Sequence, residues 1–171
     1  MKCVSEAMAI GALILMGIMA GFFFAFSNTV MPGFDITDPT SAIEGMQGIN
    51  TVVCNPVFFV TFFLTPVFAL VAAVCAFIGG NSKAALLAGV ANLIYLGGAF
   101  LVTIIHHIPL NEALAVVDAR ALGTEAASVW MTYSVDWTPM NTVRACACAS
   151  AVAMVPLAYC VVLLRRQDTI A

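Results

Sequence analysis

"CNPVFFVTFFLTPVFALVAAVCAFIGG", residues 54–80, contains no charged side chain. Roughly 20 apolar residues suffice to cross a hydrocarbon core about 30 Å thick, so the stretch reads as a membrane helix. Asn55-Pro56 marks its start, a capping amide followed by a residue suited to the first helical turn. Pro66 in mid-span predicts a kink. Three further charge-free runs lie within residues 7–34, 84–107 and 145–164. In lipid every backbone polar group needs an internal partner, which leaves helices as the means of crossing. The expectation is an all-α membrane protein: a single membrane domain over residues 1–171, forming a four-helix transmembrane bundle with helices at 5–31, 55–79, 83–107 and 141–164 and two long outer loops containing short helices.

Composition agrees. The chain is 63% hydrophobic and 9% charged, with a mean hydropathy of +1.05, outside the range of soluble domains. The first run is too long for a signal-peptide core and has no small-residue cleavage site before Asn28, so it reads as a retained helix. Lys2, Lys83, Arg165 and Arg166 flank the two termini and the short loop between helices two and three. The positive-inside rule then predicts a bacterial inner membrane protein with both termini cytoplasmic and both long loops outside. No basic patch exists for nucleic acid. Proton-coupled transport is disfavoured because the first three runs contain no carboxylate.

The polar exceptions align. Stepping 100° per residue along helix three puts Asn92, Tyr95, Ala99, Thr103 and His106 on one face, with His107 at its margin. On helix one, Gly17, Gly21, Phe24, Asn28 and Met31 group together, and the GxxxG spacing predicts close packing that carries Asn28 inward. The first long loop, "MPGFDITDPTSAIEGMQGIN" (31–50), predicts a turn at Pro32-Gly33 and a short helix from Ser41 to Asn50. In "WMTYSVDWTPMNTVR" (130–144), Trp130, Tyr133 and Trp137 recur at helical spacing. They read either as an interfacial aromatic belt or as an aromatic lid over an apolar ligand. The six cysteines have no CxxC spacing and read as buried free thiols, with a disulfide from Cys54 to helix four as the alternative in an oxidising compartment.

Four blocks, "GFFFAFSNTVMPGF" (21–34), "MQGINTVVCNPVF" (46–58), "TIIHHIPLNEALA" (103–115) and "WTPMNTVRA" (137–145), resemble in order and spacing the anthrone-oxygenase-like integral membrane proteins of bacteria and fungal polyketide pathways. The resemblance implies four membrane helices and oxidation of an anthrone to an anthraquinone by molecular oxygen. It places the family's recurrent residues at Asn28, Met46, Gln47, Asn50, Asn55, Asn111, Trp137, Asn141 and Arg144. The chain departs from the family pattern at His107, where asparagine is common, and at Thr142, where histidine is common.

The reaction so implied is base-assisted enolate formation on an apolar polycyclic aromatic, anthrone- or quinol-like, in an outer-leaflet pocket. It needs a base and an oxyanion site. The candidate catalytic residues are His107 and His106 as bases and Arg144 and Asn111 as donors, with Asn141 a further donor. Asn28, Gln47, Asn50, Asn55, Trp130, Tyr133, Trp137 and Asn141 are the candidate substrate contacts. Arg144 has a competing role as the partner of Glu112 or Asp136, and the asparagines as helix caps. A copper or iron site is a second reading. Adjacent histidines diverge by about 100° on a helix, so it requires unwinding before Pro109 and help from Glu112, Asp136 or Met31. The third reading is a non-catalytic membrane subunit that binds a quinone, lipid or partner protein, or forms a homo-oligomer.

Overall fold

The computed structural model describes residues 2–168, with side chains as far as Met154. The side chains of Cys160, Arg165 and Arg166, used above, lie outside the described residues. Helix α1 runs Lys2–Asp35 and α2 Pro39–Val52. Helix α3 spans Pro56–Ile78, α4 Ser82–Ala115 and α5 Ala126–Asp168. Among the described residues there are no strands. Helices α1, α3 and α4 are each long and apolar enough to cross a membrane. The four long helices pack in the cyclic order α1, α3, α4, α5, each against two neighbours.

Their common core is built from Ala9, Ala12, Met16, Met19 and Phe23 of α1, Phe62 and Ala69 of α3, Ala91 and Tyr95 of α4, and Ala145 and Cys148 of α5. The opposite faces, including Phe59, Val60, Phe63 and Val67, are exposed apolar surface, as lipid requires.

Side-chain caps begin the shorter elements. Asp38 Oδ2 accepts from the Ser41 N–H at α2, and Asn55 Oδ1 accepts from the Phe58 N–H at α3. The kinking proline of α3 is compensated from α4. Pro66 cannot donate to the Phe62 carbonyl four residues earlier. The buried Tyr95 hydroxyl donates to that carbonyl at 2.9 Å.

Helices α1 and α4 overrun the residues expected to end them. Neither stops at Pro32 or Pro109; each opens into a wider π-type turn just before its proline, over Phe26–Val30 and Thr103–His107. The N–H groups of Met31 and Ile108 bond five residues back, to Phe26 O and Thr103 O. A π-type turn is a recognised way of absorbing an extra residue inside a helix. Pro32-Gly33 is therefore helical, not a turn. The helix does not unwind before Pro109, as the metal reading required. Helix α5 starts at Ala126 instead of 141, so the aromatic "loop" segment is part of a helix.

Two faces drawn at a strict 100° step are corrected. Wider turns rotate less per residue, so His107, at 1% exposure, replaces His106 on the inner face of α4. On α1 the buried face is Ala12, Met16, Met19 and Phe23, while Gly17, Gly21, Phe24 and Asn28 are exposed. A Cβ at Gly17 or Gly21 would meet nothing within 4 Å. Close helix approach occurs at Gly98 of α4, where a Cβ would lie 2.3 Å from the Ala147 Cβ of α5. Gly98→Val is expected to lower the melting temperature of the detergent-solubilised protein by several degrees or abolish folding. Gly17→Ala and Gly21→Ala should leave it unchanged. Thermal unfolding of the three variants checks the assignment.

Candidate functional site

At the end carrying α2 and the 116–125 connection a second apolar cluster forms. Met31, Ile43, Met46 and Leu114 pack there with Trp130, Tyr133 and Trp137 of α5. All three aromatics are about 5% exposed or less. They are interior residues, so an exposed interfacial belt does not describe them. Trp130 Nε1 donates to Asp35 Oδ1 at 2.9 Å, tying α5 to the end of α1. Gln47 Nε2 donates to the carbonyls of Leu114 and Val117, tying α2 to the end of α4. Across the surface, Arg120 Nε donates to Glu44 Oε1 at 2.6 Å, and the carboxylate raises the guanidinium's pKa above its ordinary value.

Asn111 organises the aromatic wall. Its Oδ1 accepts from Tyr133 Oη at 2.8 Å and from Trp137 Nε1 at 3.0 Å. Asn50 Nδ2 approaches the same tyrosine oxygen at 3.5 Å. Two polar ends that would otherwise be buried without partners thus share one amide oxygen, and the stacked Tyr133 and Trp137 rings are fixed.

Between this cluster and the bundle core lies a cavity of about 460 Å³, within the range of small-molecule sites. Its walls are mostly aromatic, with Phe22, Phe23, Phe26, Phe58, Phe62 and Phe100 among them. Its polar lining includes Gln47, Asn50, Thr103, His107, Asn111, Glu112, Trp137 and Arg144.

Arg144 dominates the electrostatics. It is 5% exposed, yet the one ion pair among the described residues is Arg120–Glu44, so neither Glu112 nor Asp136 neutralises it. Its NH2 donates to Asn141 Oδ1 at 2.7 Å and its NH1 to Thr103 Oγ1 at 3.1 Å. The guanidinium carbon lies 4.3 Å from the Phe23 ring centroid and 5.2 Å from that of Trp137. Nε is buried with no hydrogen-bond partner among the described residues. Ring faces attract a cation, but they do not cancel its charge. Asn141, fully buried, donates to Phe23 O at 2.7 Å and Ser27 Oγ at 2.6 Å while receiving the Arg144 bond. It positions the arginine and does not line the cavity.

The adjacent histidines have a structural explanation. Both reach backbone carbonyls of α5, just before Pro139. His106 Nε2 meets Asp136 O at 3.1 Å, and His107 Nε2 meets Trp137 O at 3.3 Å. His107 Nδ1 faces Val102 O at 3.3 Å. Both nitrogens of His107 therefore point at backbone carbonyls, although its ring borders the cavity. A neutral imidazole has one N–H and one acceptor nitrogen, and here both face backbone carbonyls and neither faces the cavity. His106 is absent from the lining.

Of the expected contacts, His107, Arg144, Asn111, Gln47, Asn50 and Trp137 come together around the cavity, with Tyr133, Trp130 and Asn141 behind its wall. Asn28 is exposed, and Asn55 is a helix cap that lines the adjoining hollow between α1, α2 and α3 and not this cavity. The phenylalanine walls went unrecognised because phenylalanines are ordinary in a membrane helix. Cys3, Cys54, Cys75, Cys146 and Cys148 are free, and Cys3, Cys54 and Cys146 are exposed rather than buried. Among the described residues no three of His, Cys, Asp and Glu come together.

The family model for anthrone oxygenase matches residues 57–154, more than half of the chain. The chain belongs to the anthrone oxygenase family. Membership points to an oxygenase-like activity, and the matched span carries His107, Asn111, Glu112, Trp137 and Arg144. No curated protein and no solved structure matches the chain.

Replacing Asn111 with leucine removes the acceptor of two buried donors, each costing about 1–3 kcal/mol when left unpaired. Asn111→Leu should lower the melting temperature and increase quencher access to Trp137. Asn111→Asp, which keeps the acceptor, should restore both.

Proposed function

We propose that the protein is a membrane oxygenase that converts an apolar polycyclic aromatic, anthrone- or quinol-like, by stabilising its enolate or phenolate against Arg144. The observation that carries this reading is a buried guanidinium, unpaired with any described carboxylate, in the wall of an aromatic cavity. A desolvated cation is costly. An anion forming inside the cavity offsets that cost, and one formed during reaction is stabilised more than the neutral substrate.

The chemistry closes without further reagents. A base removes a proton from the ring carbon opposite the anthrone carbonyl, and the negative charge moves to that carbonyl oxygen beside Arg144 and Asn111. The electron-rich enolate passes one electron to oxygen, and the resulting radical pair combines to a peroxide at the same carbon. Loss of the second proton from that carbon with cleavage of the O–O bond yields the second carbonyl and hydroxide. Hydroxide takes the proton held by the base. Anthrone and one molecule of oxygen thus become anthraquinone and water. Glu112, which lines the cavity and is exposed, fits the base better than His107, whose ring nitrogens are occupied by carbonyls. His107 instead holds α5 and the Trp137 wall in place.

In this reading α5 makes a fourth crossing, and Lys2 and Lys83 hold the opposite end of the bundle in the cytoplasm. The aromatic cavity then opens near the outer leaflet, where an apolar substrate partitions.

Oxygen uptake and anthraquinone absorbance with anthrone as substrate test the proposal. The wild-type protein should exceed the spontaneous rate. Arg144→Gln should lose about 10²–10³ in kcat, the range for removing one oxyanion donor, while Glu112→Gln should lose turnover and retain anthrone binding. Wild-type turnover in Arg144→Gln overturns the oxyanion role. Saturable anthrone binding without oxygen uptake assigns the cavity to a binding subunit instead.

A further inference from the structure

A second, larger hollow adjoins the cavity. It occupies about 780 Å³ between α1, α2 and α3, and it shares Phe22, Phe26, Ile49, Val53 and Phe58 with the cavity wall. Beyond those shared residues its border includes Ile18, Met19, Gly48, Asn55, Val57 and Thr61. Thr61 spends its hydroxyl on Val57 O in its own helix at 2.8 Å, so the surface it leaves is apolar. From Phe26 to Ile18 the groove follows eight residues of α1, roughly 12 Å at helical rise. Val57 is 77% exposed on one side, and a Cβ at Gly48 would meet nothing within 4 Å on the other. The charged groups lie at one end of this combined space, around Arg144 and Asn111, and the polar side chains of the long remainder, Asn55 and Thr61, are bonded to nearby backbone: Asn55 Oδ1 accepts from the Phe58 N–H, and its Nδ2 donates to Val52 O.

That division of polarity matches an amphipathic ligand. We infer that the groove between α1, α2 and α3 holds an aliphatic chain carried by the same aromatic substrate whose ring occupies the Arg144 cavity. The inference rests on the proposed function and adds to it a substrate class: an alkyl- or prenyl-substituted phenol, quinol or anthrone. The shared aromatic wall is the argument for one ligand over two, because Phe22, Phe26 and Phe58 would touch ring and chain at their junction. The exposed Val57 edge lets such a chain enter sideways from lipid while the ring turns inward.

The test compares anthrone with 2-decylanthrone on the full chain in nanodiscs, by quenching of tryptophan fluorescence and by oxygen uptake. Two variants act on the groove from opposite walls, Gly48→Phe on α2 and Val57→Phe on α3, and neither residue lines the Arg144 cavity. The wild-type protein should prefer the decyl probe by about tenfold or more, the loss of a few buried methylenes being enough to cancel it. Either variant should remove most of that preference and leave the Kd for anthrone within about twofold. An undiminished preference in both variants overturns the inference and assigns the chain to bulk lipid. Loss of a co-purified phospholipid from the variants with no change in preference also overturns it, making the groove a lipid site. Failure of the wild-type protein to bind anthrone at all is a distinct result, which removes the proposed function and this inference together.

Discussion

Backbone hydrogen bonding in apolar surroundings is the constraint from which the rest of this structure follows. Several prolines lie inside long helices, and each removes a donor where water cannot replace it. The chain meets the deficit by two devices. Tyr95 of one helix supplies the hydroxyl that Pro66 denies to Phe62, and α1 and α4 widen a turn before Pro32 and Pro109 so that the helix continues past them. Separately, His106 and His107 reach the Asp136 and Trp137 carbonyls of α5 from α4. Polar side chains that resemble catalytic groups in the sequence are thereby committed, in part, to holding helices together.

The same adjustments place the site. The wide turn at Thr103–His107 carries His107 to the inner face and continues α4 to Asn111 and Glu112, which a helix ending at 107 would have left in a loop. Asn111 receives both Tyr133 and Trp137, and Asn141 and Thr103 orient Arg144 from two helices. Among the described residues the cation is held by neutral acceptors and ring faces. A carboxylate partner would have stabilised it more and left it with less attraction for a ligand. The unneutralised charge is therefore the feature that most separates this cavity from a packing defect.

Much of the fold was legible from the chain. The charge-free runs fixed the long helices because the span of a bilayer dictates their length, and Asn55-Pro56 marked the start of α3 to the residue. Part of the site was legible as well. Buried arginines and amides are rare in such sequences, so Arg144, Asn111, Gln47 and Asn50 stood out, and the structure gathers them around one cavity. The GxxxG face misled because spacing alone cannot say whether a neighbour is present: Gly17 and Gly21 face outward, and Gly98, with no motif around it, makes the close contact.

By itself, then, the sequence determined the class of environment, the helical content and the identity of the unusual polar residues. These depend on hydrophobicity and length, which are summed locally. Only the tertiary structure decided which face of α1 is buried, that His107 and not His106 turns inward, and that Arg144 has no carboxylate beside it. Each of these depends on the rotation of one helix against another. In α4 the widened turns at Leu96–Leu101 and Thr103–His107 change that rotation without leaving a mark in the periodicity of the residues.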